Sequence, residues 1–142
     1  MESLNACNIE IYHHKKGLII QDNVLIVYNE NGRIINIGNS EPEAIHQPNA
    51  RAVVPIKDGR ITDTGAAGQV LSWYLAHTGK RFFRKPDIVV CLPSGLADSE
   101  KETWINTLLL CGARTVHLAE LTRDEYLQTA GKNEFDLIIS FS

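Results

Sequence analysis

No long run of one charge sign occurs in the 142 residues, and the formal net charge is only −3. A general nucleic-acid binder would carry a basic face, so nucleic acid is not an expected partner. No apolar stretch approaches the ~20 residues that span a bilayer, which argues against an integral membrane segment. Met1-Glu2-Ser3-Leu4-Asn5 has no basic region followed by an apolar run, so no signal peptide is expected and a cytoplasmic location is the default. Cysteine is scarce. Cys7, Cys91 and Cys111 are widely spaced, form no C-x-x-C pair, and read as free thiols, mostly buried, in a reducing compartment. Histidine offers no metal constellation either. His13 and His14 are adjacent, so on a strand they should face opposite ways, and His46, His77 and His117 are scattered. Internal repeats and low-complexity tracts are also lacking.

What is present is ordinary globular material: 44% hydrophobic and 22% charged residues, in a length suited to one domain with one core. The first third reads as strands. Ile9 and Ile11 alternate with polar residues, Lys16-Gly17 turns the chain, and Val24 to Tyr28 is apolar enough to be covered on both faces. Asn31-Gly32 between apolar runs signals a tight hairpin with both turn residues at positive φ, and Asp58-Gly59 a second tight turn. Glu41 to Pro48 has room for a helical turn or two.

The second half alternates helix and strand. Ala66 to His77 places Val70, Tyr74 and His77 on one side, flanked by Leu71 and Leu75. Asp87 to Leu92 is a buried strand. Ser99 to Glu102 has the capping-box form, Gly112 stops that helix, and Trp104, Leu108 and Cys111 form its inner stripe, widened by Ile105 and Leu109. Thr115 to Leu118 is a strand, Thr122 to Glu125 a further capping box with Gly131 closing the helix, and Phe135 to Phe141 a last strand. An antiparallel meander followed by β-α-β-α-β predicts an α/β fold with a mixed sheet, the order of a ribonuclease-H-like domain.

Four segments carry a resemblance. These are Ile56-Lys57-Asp58-Gly59-Arg60-Ile61-Thr62-Asp63, Lys85-Pro86-Asp87-Ile88-Val89-Val90-Cys91-Leu92-Pro93-Ser94-Gly95, the pair Glu100-Lys101, and Cys111-Gly112-Ala113-Arg114-Thr115-Val116-His117-Leu118. Together they resemble the front part of the MreB family of bacterial actins, over roughly residues 3 to 120. The resemblance implies residues 1 to 142 as a single actin-like domain equivalent to the N-terminal part of such a protein. It also implies ATP-dependent filaments at the inner membrane face and a role in rod shape.

Its chemistry transfers poorly. In that family a phosphate loop, Asp-Leu-Gly-Thr-Ala-Asn, lies between the first two strands. The matching residues here are Ser3, Leu4, Asn5, Ala6, Cys7 and Asn8. Ser3, Asn5, Ala6 and Asn8 would thus be the remnant of a nucleotide site. A serine replaces the carboxylate that works through Mg²⁺, and Asn5 brings a Cβ where glycine lets phosphate approach. Leu121 stands where the family has a glutamate that positions the attacking water, with Glu120 beside it expected to point elsewhere. The strand at Phe135 to Ser142 would be followed in the family by a second phosphate loop. Neither ATP nor Mg²⁺ is therefore expected as a working cofactor, and a module acting through contacts with itself or an MreB-type filament is the expected reading. The alternative is the front half of an active ATPase. Asp63-Thr64-Gly65-Ala66 also matches an aspartic-protease motif, which would require a homodimer, against the plainer reading of Asp63 as a helix cap. Ser94 lacks the first glycine of a nucleophile elbow and reads as a turn serine.

Overall fold

The computed structural model describes residues 7–38, 48–78, 85–129 and 135–141. Strands β1 (Asn8–His13) and β2 (Gly17–Asn23) form an antiparallel hairpin. The period-two pattern of β1 buries Ile9, Ile11 and His13. His13 Nδ1 accepts the backbone N–H of Lys15 (3.0 Å) and Lys16 (3.3 Å), which fastens the turn. Burial lowers the pKa of this imidazole, with His14 adding to the effect. The two histidine rings stack with centroids 4.7 Å apart rather than facing opposite ways. Strand alternation does not reach His14, because β1 ends at His13.

Strands β3 (Ile26–Tyr28), β4 (Ile34–Ile37) and β5 (Arg51–Val53) make a separate sheet in the order β4-β3-β5. The expected continuous meander is thus split. Residues 24 to 28 have to be covered on both faces: Val24, Ile26 and Tyr28 join the main core, while Leu25 and Val27 pack with Ile35 and Ala52. At Asn31-Gly32 only the glycine has positive φ (78°). Asn29 accepts the Gly32 N–H (3.0 Å) and its side-chain oxygen accepts those of Asn31 (2.9 Å) and Arg33 (3.0 Å), giving a longer turn than the two-residue one expected. The two-residue form occurs instead between β6 (Ile56–Lys57) and β7 (Arg60–Ile61), where Asp58 (φ 53°) and Gly59 (φ 76°) are both left-handed.

Helix α1 (Thr64–Thr78) starts where Asp63 Oδ1 accepts the Ala66 N–H at 3.0 Å. A helix, not a strand, follows Asp-Thr-Gly, so Asp63 is a cap and the protease reading has no support in the fold. The buried stripe pairs Ala66 and Ala67, Val70 and Leu71, Tyr74 and Leu75. His77, expected inside, is exposed at the edge of that stripe and turns back to the Trp73 carbonyl (2.7 Å).

Next come β8 (Asp87–Cys91), α2 (Asp98–Leu110), β9 (Thr115–Ala119), α3 (Arg123–Thr129) and β10 (Leu137–Phe141). Helix α2 begins earlier than the Ser99 capping box predicts: the Ala97 N–H donates to Glu100 Oε1 at 2.9 Å. Its inner stripe is Trp104, Thr107 and Leu108, with Leu109 exposed, so the stripe widens on the Thr107 side. The cap at Thr122 is as predicted. Glu125 N–H donates to Thr122 Oγ1 (3.2 Å) and Thr122 N–H to Glu125 Oε1 (3.0 Å). Glu41 to Gln47 and Gly131, both assigned from sequence, lie outside the described residues.

The main sheet runs β2-β1-β10-β8-β9. β10 is antiparallel to β1 and parallel to β8, and β8 is parallel to β9. Side chains on β8 and β10 alternate between two layers. Ile88, Val90, Leu137 and Ile139 join α1 and α2 in the main core, while Val89, Cys91 and Ile138 pack with Tyr126 of α3. At the start of these strands, Asp87 and Asp136 bond reciprocally: Asp87 N–H reaches Asp136 Oδ2 (2.8 Å) and Asp136 N–H reaches the Asp87 carbonyl (2.9 Å). Arg114 and Thr115 close the same end on the Asp87 carboxylate.

The β6–β7 turn is held from the core. The fully buried Trp104 donates Nε1–H to the Gly59 carbonyl at 2.8 Å. A Cβ on Gly59 would lie 2.4 Å from Pro93 Cδ, so glycine is required there by space as well as by φ. Replacing Trp104 with Phe keeps much of the ring but orphans a buried carbonyl. The expected cost is about 1–3 kcal/mol in urea unfolding with m unchanged. The same change at the part-exposed Trp73 should cost well under half as much, and equal losses would show that the Trp104 bond does not hold the turn.

Candidate functional site

The carboxyl ends of β8, β9 and β10 open onto one cleft of about 640 Å³. Open α/β sheets place ligands at this end, because the strands stop and the loops diverge to helices on opposite faces. One wall is the turn after β8, Leu92-Pro93-Ser94, with Asp58 and Gly59 packed beside it. Opposite stands Glu120 to Glu125, which leaves β9 and enters α3. Cys7, Glu10, Cys91, Ser140 and Phe141 complete the floor.

The lining is acidic. Among the described residues, Glu10, Asp58, Glu120, Asp124 and Glu125 supply five carboxylates against the one guanidinium of Arg123. Arg123 lies between them, with Nη1 3.3 Å from Glu10 Oε1 and its guanidinium 5.7 Å from the Tyr12 ring. Glu120 pairs with Lys101 of α2, 3.1 Å away, which offsets its charge at the cleft edge. The Thr122 backbone N–H and hydroxyl hold the Glu125 carboxyl below its usual pKa, so it stays ionised while capping α3. Among the described residues two buried polar atoms make no hydrogen bond: Ser140 Oγ, and Arg123 Nε, which is ion-paired with Asp124 Oδ1 at 3.7 Å.

Of the residues singled out from sequence, Ser3, Asn5 and Ala6 lie outside the described residues. Asn8 opens β1 opposite Asn23 and does not line the cleft, although its neighbour Cys7 does. Leu121 is at the cleft and 39% exposed, an apolar side chain at the position where the sequence comparison expected a missing acid. Ser94 sits in an exposed turn, as expected. The sequence reasoning missed Glu10, Asp58, Arg123 and Ser140. Glu10 is the polar member of an Ile-Glu-Ile alternation, a signal that reads equally well as a solvent-facing strand residue.

The thiols of the cleft are inert by environment. Burial raises both Cys7 and Cys91 to about 11, and Cys7 Sγ–H also donates to the Ile56 carbonyl at 3.2 Å. A raised thiol pKa means the neutral form persists in the folded chain. Its contribution to stability is complete below the ordinary thiol range and is lost as pH rises through about 11. At pH 8 the thiolate fraction should be about a hundredfold below that of the unfolded chain. Reaction of Cys7 and Cys91 with Ellman's reagent should slow correspondingly between urea and native buffer, and equal rates would contradict their burial.

With this geometry in place, known proteins supply the comparison. The family described as MreB/Mbl protein matches residues 3–124. The cell shape-determining protein Mbl of Bacillus cereus is 26% identical over 121 residues, covering 82% of this chain and 36% of that protein. Among solved structures, MreB5 of Spiroplasma citri bound to ADP superposes with a TM-score of 0.71 at 24% identity, over 83% of this chain and 36% of that one. The MamK double helical filament does so with a TM-score of 0.60 at 12% identity, over 73% of this chain and 35% of that one. The chain therefore spans about a third of the length of these relatives, and its fold is the actin-like, ribonuclease-H-like one. On the extent of the family match, this chain belongs to the MreB/Mbl family.

Proposed function

We propose that the chain is a single actin-like module of the cell-shape cytoskeleton, equivalent to the N-terminal part of an MreB-type protein, that acts through protein contacts and does not hydrolyse ATP. The observation that carries this reading is the charge and shape of the cleft. Phosphoryl transfer depends on positioned cations and backbone donors around the phosphates and on a residue that orients water. The described lining offers five carboxylates, one arginine engaged by Glu10, and Leu121 where an acid would be needed. A leucine neither accepts a proton nor orients water. The relative named for cell-shape determination and the neighbour solved as a filament supply the cytoskeletal part of the reading.

The expected partner is a second copy of this chain or an MreB-type filament. No helix among the described residues is long and apolar enough to cross a membrane. The proposed site of action is the cytoplasm, peripheral to the inner membrane face.

Phosphate release from Mg-ATP should stay at the buffer rate for the chain alone, and cosedimentation with an authentic MreB filament should pull it into the pellet. Turnover above the buffer rate would overturn the reading. So would a chain that stays monomeric by native mass and never pellets with the filament.

A further inference from the structure

The family match covers residues 3–124, yet β10 at Leu137–Phe141 stands in the middle of the main sheet. The other four strands of that sheet, β2, β1, β8 and β9, all lie inside the match. Neighbouring strands are ~4.8 Å apart, so without β10 the matched strands β1 and β8 would face each other across a gap of about 10 Å. Both sides of that gap would carry unpaired backbone groups, which is costly in a core. A relative that keeps this scaffold has to fill the gap from outside the shared stretch. The matched part is therefore incomplete by one strand, and the direction of that strand is fixed: antiparallel to β1 and parallel to β8.

The gap also dictates what fits. It is covered on both faces, so its occupant has to be apolar on both: Leu137 and Ile139 enter the main core, while Ile138 packs with Tyr126 of α3. The start of the strand is read by polar contacts. Asp87 N–H donates to Asp136 Oδ2 (2.8 Å), and the Asp136 carbonyl accepts the His14 N–H (3.1 Å). The end is read by Trp104, whose ring lies 5.4 Å from that of Phe141. None of these contacts requires the strand to arrive from α3. A segment ahead of β1 would reach the same place, because a hairpin with β1 is antiparallel to it and β2 already holds the other edge of β1. We propose that the space between β1 and β8 is a strand-binding site. Its ligand is an extended peptide segment with an acidic residue at its start, three apolar residues, a small one and an aromatic one, and β10 is the copy of that ligand that this chain carries. The inference stands on the register and the family match, not on whether the chain turns over ATP.

The test uses the full chain carrying Ile139→Asp, which puts a carboxylate at a fully buried position of β10 and spoils the strand already in place. Tryptophan emission of this variant should shift toward that of the urea-unfolded chain. A replacement strand is then offered in two ways. One is a dye-labelled peptide copying Phe135 to Phe141 with a lysine tail for solubility, and the other is the same seven residues joined ahead of Met1 in the variant. Emission should return to the native position in either arm, and the added strand should fail in both when it carries Ile138→Asp, the residue that packs toward α3. The unaltered chain holds its own strand at a high effective concentration, so the peptide should bind it about a hundredfold more weakly than it binds the variant. Failure of both arms would overturn the inference. So would recovery that Ile138→Asp leaves unchanged, or peptide binding to the unaltered chain as tight as to the variant. Any of these leaves the proposed function standing, and ATP turnover would overturn that function without touching the strand site.

Discussion

Strand β10 is the constraint on which the sheet depends. The hairpin β1–β2 and the pair β8–β9 share no ladder of their own, and only β10, hydrogen-bonded to β1 on one edge and β8 on the other, joins them. A strand in that position has to be apolar on both faces. Leu137, Ile138 and Ile139 are all fully buried, with Ile138 facing α3 and its neighbours facing α1 and α2. Burying side chains of this size stabilises by about 1.5–3 kcal/mol each. The layer order of the described residues follows from this: α1 and α2 on one face, α3 on the other. Its register is pinned at the start by the reciprocal Asp87–Asp136 bonds. Its far end delivers Ser140 and Phe141 to the cleft.

The cleft inherits its shape from the same arrangement. Parallel strands β8 and β9 end side by side, with Leu92 N–H extending their pairing to the Ala119 carbonyl at 2.8 Å. Beyond that point the chain leaves in different directions, into α2 and into α3. The β6–β7 turn would otherwise be a loose two-residue ladder. Trp104 and the close contact of Gly59 with Pro93 make it a fixed wall, and Arg60 adds a surface pair with Glu100 at 2.8 Å. That pair is half exposed and adds little stability. The Trp104 bond, inside the core, is the one that sets the position of Asp58.

Much of the fold was legible because local rules and tertiary packing agree there. The alternation at Ile9 and Ile11, the two-sided apolar run at 24 to 28, the Thr122–Glu125 capping box and the Asp63 cap all describe short-range physics, and all appear in the structure. The misses come from competition. Ser99 and Glu102 satisfy a capping pattern, but in the structure Glu100 does the capping, accepting the Ala97 N–H. Asn31-Gly32 resembles a two-residue turn, but the Asn29 side chain draws the turn out by hydrogen-bonding two following N–H groups. The cleft was the least legible part. Glu10, Asp58, Arg123 and Ser140 are far apart in sequence, and each has an ordinary local reading, as a strand face, a turn, a capping-box interior and a strand end. The resemblance pointed to residues 3 to 8, of which Ser3 to Ala6 lie outside the described residues, Cys7 reaches the cleft and Asn8 does not.

On the proposed reading, family membership and chemistry separate in this chain. The scaffold is actin-like, while the described walls of its cleft carry a charge pattern that opposes a polyphosphate. Titration of a fluorescent ATP analogue in the presence and absence of Mg²⁺ tests that separation most directly. The account predicts no saturable, magnesium-dependent binding up to millimolar analogue, and micromolar binding that requires Mg²⁺ would contradict it.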